Sequence, residues 1–191
     1  MAAPSLKEEK RMRNYSQSTR EVISDMVMGM HVQTTGGVLV AANFTTGGTQ
    51  TELFTIVGRI AVMGLFIELT AAADANATQV AFNVTYTTPV IAVNAMCGKC
   101  ASIANLGAYG RIVYVGGAVA TAAVITDSAG LSDVEQAAKK AILGGVSAAG
   151  VLTVGSIGMI ASDATQAATI AATAHLFYVG LSAGAYAEAK L

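Results

Sequence analysis

The chain has 191 residues, room for one domain and an appendage, and its 11 Lys/Arg and 12 Asp/Glu are about half the charge of an ordinary soluble domain. A net charge of −1 excludes a general electrostatic pull toward nucleic acid or an anionic membrane, and two cysteines with two histidines leave little for a metal centre. Much of the 53% hydrophobic share is alanine and there is no tryptophan, so the core buries less area per residue than a Leu/Phe core and would gain from contacts between subunits.

The charge is also lopsided. Nine charged residues fall within the first 25 positions, five of them basic (Lys7, Lys10, Arg11, Arg13 and Arg20) and four acidic. Residues 1–17 have no apolar periodicity and read as an extended arm. Ser18-Thr19-Arg20-Glu21 is a capping box, and Val22, Ile23, Met26, Val27 and Met30 follow at helical spacing, so a short helix is expected before Gly29. The start is charged and has no apolar run of the secretory kind, so no signal peptide is expected. An arm, 1–30, therefore precedes a body, 31–191.

From residue 31 the pattern is β. Thr34-Thr35-Gly36-Gly37 and Thr45-Thr46-Gly47-Gly48 bracket VLVAANF, which reads as a strand between turns. Residues 52–69 are too long for one ordinary strand, and bends or bulges are expected at Gly58 and Gly64. Simple parity places Phe54, Ile56, Ile60, Val62 and Phe66 on one side of that stretch. The cleanest alternation is 79–87, with Val80, Phe82, Val84 and Tyr86 pointing one way. Further strands are expected at 90–97, 110–115, 119–126, 151–160 and 170–181. A second capping box, Ser132-Asp133-Val134-Glu135, opens a short helix through QAAKKAIL that stops at Gly144-Gly145. The expected fold is mainly β: an antiparallel β-sandwich with an extended N-terminal arm and one or two short helices. The uncharged stretches 141–162 and 164–187 are long enough to span a bilayer, but their glycine, alanine and threonine content favours strands.

The chemical motifs are weak. Gly180-Leu181-Ser182-Ala183-Gly184 matches the nucleophile elbow, yet no histidine follows it, so Ser182 reads as part of a turn. Cys97-Gly98-Lys99-Cys100 lacks the further ligands a zinc site needs and reads as a turn with two buried thiols. His175 sits within an apolar strand and reads as a packed or interface side chain, and His31 as incidental. Asp74-Ala75-Asn76 is a fragment of a calcium loop without the remaining ligands. No catalytic residue, cofactor or metal is expected. The basic arm residues, diluted by acids, suit a protein partner better than nucleic acid.

Two stretches carry a resemblance. Residues 53–60 (LFTIVGRI), followed by 61–70 (AVMGLFIELT), resemble a strand pair of small structural proteins of tailed bacteriophages. Gly155-Ser156-Ile157, Leu176-Phe177-Tyr178-Val179 and Gly184-Ala185-Tyr186 resemble their closing hairpin. The resemblance implies a virion structural protein, foremost a head decoration (cement) protein on the outer capsid surface, assembled in the host cytoplasm. Its expected partners are the major capsid protein and copies of itself in a homotrimer, with no nucleic acid and no membrane. The arm residues Lys7, Lys10, Arg11, Arg13 and Arg20 would contact the partner. A tail or head–tail connector protein is the alternative, followed by a small membrane protein.

Overall fold

In a computed structural model, the described residues are 29–45, 47, 50–88, 90–114, 123–126, 141–145, 150–166 and 169–191. The chain divides after His31, and Val32–Leu191 forms one compact unit. The arm residues Lys7, Lys10, Arg11, Arg13 and Arg20 and the helix expected after Ser18 lie outside the described residues.

Twelve strands occur among the described residues: β1 (Met30–Thr34), β2 (Leu39–Val40), β3 (Thr51–Val57), β4 (Ile60–Ala71), β5 (Gln79–Thr88), β6 (Val90–Ala95), β7 (Arg111–Val113), β8 (Val124–Thr126), β9 (Ala141–Leu143), β10 (Val154–Ser162), β11 (Ala171–Gly180) and β12 (Tyr186–Ala189). They form two antiparallel sheets. A seven-stranded sheet runs β1-β11-β4-β7-β8, with β2 also on β11 and β9 also on β4. A five-stranded sheet runs β12-β3-β10-β5-β6. This is the expected antiparallel β-sandwich.

The core lies between the sheets. Ile60, Val62, Leu65, Ile67, Leu69, Ala174 and Leu176 enter it from one sheet, and Phe54, Ile56, Val80, Phe82, Ile157 and Met159 from the other, all buried. Among the described residues, polar groups join the layers at Tyr178 and Tyr86. Tyr178 Oη donates to the Ala187 carbonyl at 3.2 Å, and the Gly144 N–H donates to Tyr86 Oη at 3.0 Å. Both phenols bury a ring and satisfy a hydroxyl in one step.

The long run 52–69 breaks where expected. Gly58 has φ +74°, a conformation open to glycine at little strain, and the chain reverses there between β3 and β4. The second irregularity reshapes the strand. Phe177 pairs with Gly64 and the next residue, Tyr178, pairs with Val62, so Met63 is an extra residue in β4. Such a bulge inverts the side-chain parity beyond it. Leu65, Ile67 and Leu69 therefore point into the core, whereas Phe66, which simple parity places with Ile60 and Val62, points outward.

Two other readings are corrected. The expected strand VLVAANF pairs only over Leu39–Val40 and then coils into a 3₁₀ turn, Ala41–Phe44, whose Asn43 Oδ1 accepts the Val40 N–H at 2.9 Å. That bond offers the backbone a local partner in place of a ladder. The helix expected to end at Leu143 does not include its last three residues: Ala141–Leu143 is β9, paired with β4. Cross-strand contacts to Ile60–Val62 override the helix preference of Ala and Leu there. The remainder of that helix, Ser132–Lys140, lies outside the described residues.

Candidate interaction face

The outward residues of the seven-stranded sheet build an apolar surface in rows. Register places Phe66 between His175 and Val113, Glu68 between Thr173 and Arg111, and Ala61 between Val179 and Ile142. Phe66 stacks on the His175 ring at 4.7 Å between centroids and 24° between planes, and on Phe177 at 6.1 Å. The Arg111 guanidinium lies 5.3 Å from the Phe66 ring centre, within cation–π range, while its Nε donates to Glu68 Oε2 at 2.7 Å. At the margins Val32, Val40 and Ile142 are 49%, 48% and 57% exposed. Exposed branched aliphatics contiguous with a half-buried aromatic row mark an interaction surface more often than bare solvent-facing sheet.

His175 is the polar centre of this face. Its Nδ1 is hydrogen-bonded with Thr34 Oγ1 at 3.1 Å and its Nε2 with Thr173 Oγ1 at 3.2 Å. Burial pushes the imidazole pKa below its ordinary value, Glu68 pulls it partly back, and Arg111 lowers it further. A neutral ring suits the two threonines, because one nitrogen donates and the other accepts. The sequence reading of His175 as a packed or interface side chain fits this position.

The outward face of the five-stranded sheet is the more polar one, with the exposed Tyr186 of β12 its main apolar group. Glu52 accepts from Lys190 Nζ and from Ser156 Oγ, the latter at 2.7 Å, and the Lys190 hydrogen bond leads in holding the carboxyl below its usual range. Gln50 lies flat over Gly158, where a Cβ would strike its side chain, and its Oε1 accepts from Thr85 Oγ1. Gln50, Thr51, Glu52, Lys190 and Leu191 line an open depression of about 600 Å³ together with Ala42, Asn43 and Thr45. A carboxylate held ionised by an ammonium and a hydroxyl acts as a clip joining β3, β10 and the residue after β12. Beside it, Asn83 is 2% exposed with neither amide atom hydrogen-bonded, and Gln50 Nε2 is likewise buried without a partner.

The motifs singled out in the sequence are structural. Ser182 Oγ accepts the Arg59 N–H at 3.1 Å and the Ser182 carbonyl accepts from Ala185, so this serine pins the β11–β12 turn against the β3–β4 turn. The C-x-x-C pair replaces a stretch of β ladder. The Cys100 N–H donates to the Val80 carbonyl and Cys100 Sγ accepts the Val80 N–H at 3.1 Å; the Met96 N–H donates to the Phe82 carbonyl and Cys97 Sγ accepts the Phe82 N–H at 3.4 Å. Burial pushes both thiols up, Cys100 to about 11, which leaves them poor nucleophiles. Asp74 and Asn76 form a closed turn, Asp74 Oδ1 accepting the Asn76 N–H at 2.7 Å, and buried Gln166 ties the turn to Thr78. His31, read as incidental, is exposed on β1. Among the described residues no three His, Cys, Asp or Glu side chains are grouped to hold a metal, and no helix is long and apolar enough to cross a membrane.

The sequence reading missed the apolar face because the Met63 bulge hides it. Without the bulge, Phe66 counts as core and the outward side of β4 has no aromatic. One signal was present: the run from Ile60 to Leu69 never alternates. In comparison with known proteins, no family model matches the chain, and neither a curated protein nor a solved structure matches at a significant level.

Proposed function

We propose that this chain is a structural protein of a tailed-bacteriophage virion, a decoration (cement) protein that binds and stabilises the shell of major capsid protein from outside. The observation that carries this reading is the pairing of a charge-poor sandwich with one apolar outer face, a surface suited to permanent contact. The stretches that resemble phage structural proteins adjoin in the fold: β4 pairs with β11, and β3 pairs with both β10 and β12. A closed homotrimer suits the local three-fold positions of a shell. Lys7, Lys10, Arg11, Arg13 and Arg20 are the arm residues assigned to the capsid contact, and the mature protein resides on the outer capsid surface after assembly in the host cytoplasm. No catalytic step, cofactor or metal belongs to this function.

The test combines particle mass spectrometry with binding to empty heads. A decoration role gives on the order of hundreds of copies per particle. Copies in the tens move the protein to the tail or the connector, and absence from particles ends the virion reading. Deleting residues 1–25 should leave the circular dichroism of the body intact and weaken head binding. Coating as tight as that of the full chain would remove the arm from the contact.

A further inference from the structure

We infer that the outer face of the seven-stranded sheet is where one copy of this chain packs against a second copy. The inference names the copy-to-copy surface of the oligomer proposed above and rests on that reading of the chain as an assembly unit.

The first argument is that the face is built to be covered. A strand with one polar side alternates in character, as β5 does: Val80, Phe82 and Val84 are apolar and buried, while Gln79, Asn83 and Thr85 on the other side are polar. A strand covered on both sides reads as a continuous apolar run. β4 reads that way, IAVMGLFIEL, and it lies in the interior of its sheet between β11 on one side and β7 and β9 on the other. Its inward residues fill the core, and its outward residues continue through the ladder to Ile142.

The second argument is charge complementarity. The face holds one carboxylate and one guanidinium already paired, Glu68 with Arg111, and an imidazole held between two threonine hydroxyls. Among the described residues of the face these charges cancel. Nucleic acid or an anionic lipid surface would need unpaired cations here, and among the described residues of the face the one cation, Arg111, is paired with Glu68. A neutral face of hydroxyls and branched aliphatics is complementary to itself, since hydroxyls both donate and accept and apolar groups meet their like. Three copies about a three-fold axis turn three such faces toward one another, and two copies lay one on the other. The chain's net charge of −1 opposes neither arrangement.

The experiment uses the purified full chain, free of particles. Wild type, Ile142→Lys, Val32→Lys and a polar-face control, Glu188→Lys, are compared by sedimentation equilibrium, with circular dichroism as the folding check. Val32 and Ile142 are about half exposed and Glu188 is exposed, so the core is left alone. Wild type and Glu188→Lys should form the same oligomer, and each apolar-face lysine should weaken it on the order of a hundredfold by burying an unpaired ammonium. A wild-type monomer at about 100 μM overturns the inference. So does an oligomer that both lysine variants leave unchanged, or one that Glu188→Lys disrupts equally. Monomers that bind heads through Ile142 and Val32 would give the face to the shell protein, overturning the inference while the virion role stands. An oligomer that depends on this face but binds no heads would uphold the inference and sink the virion role.

Discussion

Deleting Met63 should collapse the protein, because the strand on one side of the bulge must then present the wrong face. If the C-terminal half of β4 turns over, Leu65, Ile67 and Leu69, each fully buried, leave the core. At roughly 1.5–3 kcal/mol per buried aliphatic side chain, that loses roughly 5–9 kcal/mol. The same inversion drives Glu68 inward, away from Arg111, at further cost. If instead the N-terminal half turns over, Ile60 and Val62 are lost, roughly 3–6 kcal/mol. Either figure is comparable with the total stability of a domain, about 5–15 kcal/mol. Urea unfolding followed by far-ultraviolet circular dichroism measures the effect, and the deletion should unfold at much lower urea or not fold at all. Point variants keep the reasoning testable if it does not fold. Leu65→Ala should cost about 2–5 kcal/mol, as a core truncation does, and Phe66→Ala about half of that or less, since its ring is only half-buried. A deletion variant within about 1 kcal/mol of wild type would refute the bulge as the device that sets the two faces. So would a Phe66→Ala variant that loses more than Leu65→Ala.

Three further outcomes are expected. Cys97→Ala and Cys100→Ala should each lose about 1–3 kcal/mol by stranding the buried N–H of Phe82 or Val80, whereas the serine variants, which retain an acceptor, should lose less; equal losses in urea unfolding would remove the thiols' role as ladder acceptors. Asn83→Val should raise stability by about 1–2 kcal/mol, because it removes a buried amide with no hydrogen bonds from a strand that favours branched residues, and a lowered melting temperature would contradict this. The folded-state pKa of His175 is lowered by burial from 6.5, with Thr34, Thr173, Phe66, Glu68 and Arg111 facing the ring, so its contribution is full above 6.5 and declines as pH falls below it. Glu52, lowered from 4.5 chiefly by Lys190, contributes fully above 4.5 and is lost as pH falls through its folded value. Acid unfolding should therefore show an upper phase that His175→Gln abolishes and a lower one that it leaves in place.

Much of the sandwich was legible because its signals are local. The alternation of 79–87 places Val80, Phe82 and Val84 in the core, and the glycine at position 58 marks the β3–β4 reversal. What escaped depends on partners distant in the chain. Ala141–Leu143 has the composition of a helix end, and only Ile60–Val62 alongside makes it a strand. The 3₁₀ turn at Ala41–Phe44 replaces a strand because Asn43 reaches back to the Val40 N–H. The thiols of Cys97 and Cys100 serve as acceptors for a strand about twenty residues away, a use that C-x-x-C spacing does not announce. Met63 is the most consequential case, since one uncounted residue exchanges Phe66 and Leu65 between core and surface.

The low charge of the chain takes on a location in the fold. Among the described residues, Glu52 with Lys190 and exposed Glu188 stand on the five-stranded sheet, and Lys99 with Asp163, outside the strands, form an exposed pair 3.7 Å apart. On the seven-stranded sheet the charges of Glu68 and Arg111 neutralise each other beside Phe66. A body merely poor in charge would be equally poor on both faces and would give no orientation to an assembly. Here the two outer faces differ in kind, and the difference arises within β4, whose bulge supplies apolar side chains to both of its sides. In the oligomer proposed above, a sandwich whose two outer faces differ would turn its seven-stranded sheet toward another copy and its five-stranded sheet toward water. In that arrangement only one of the two faces has to be solvated, which accords with so few charges.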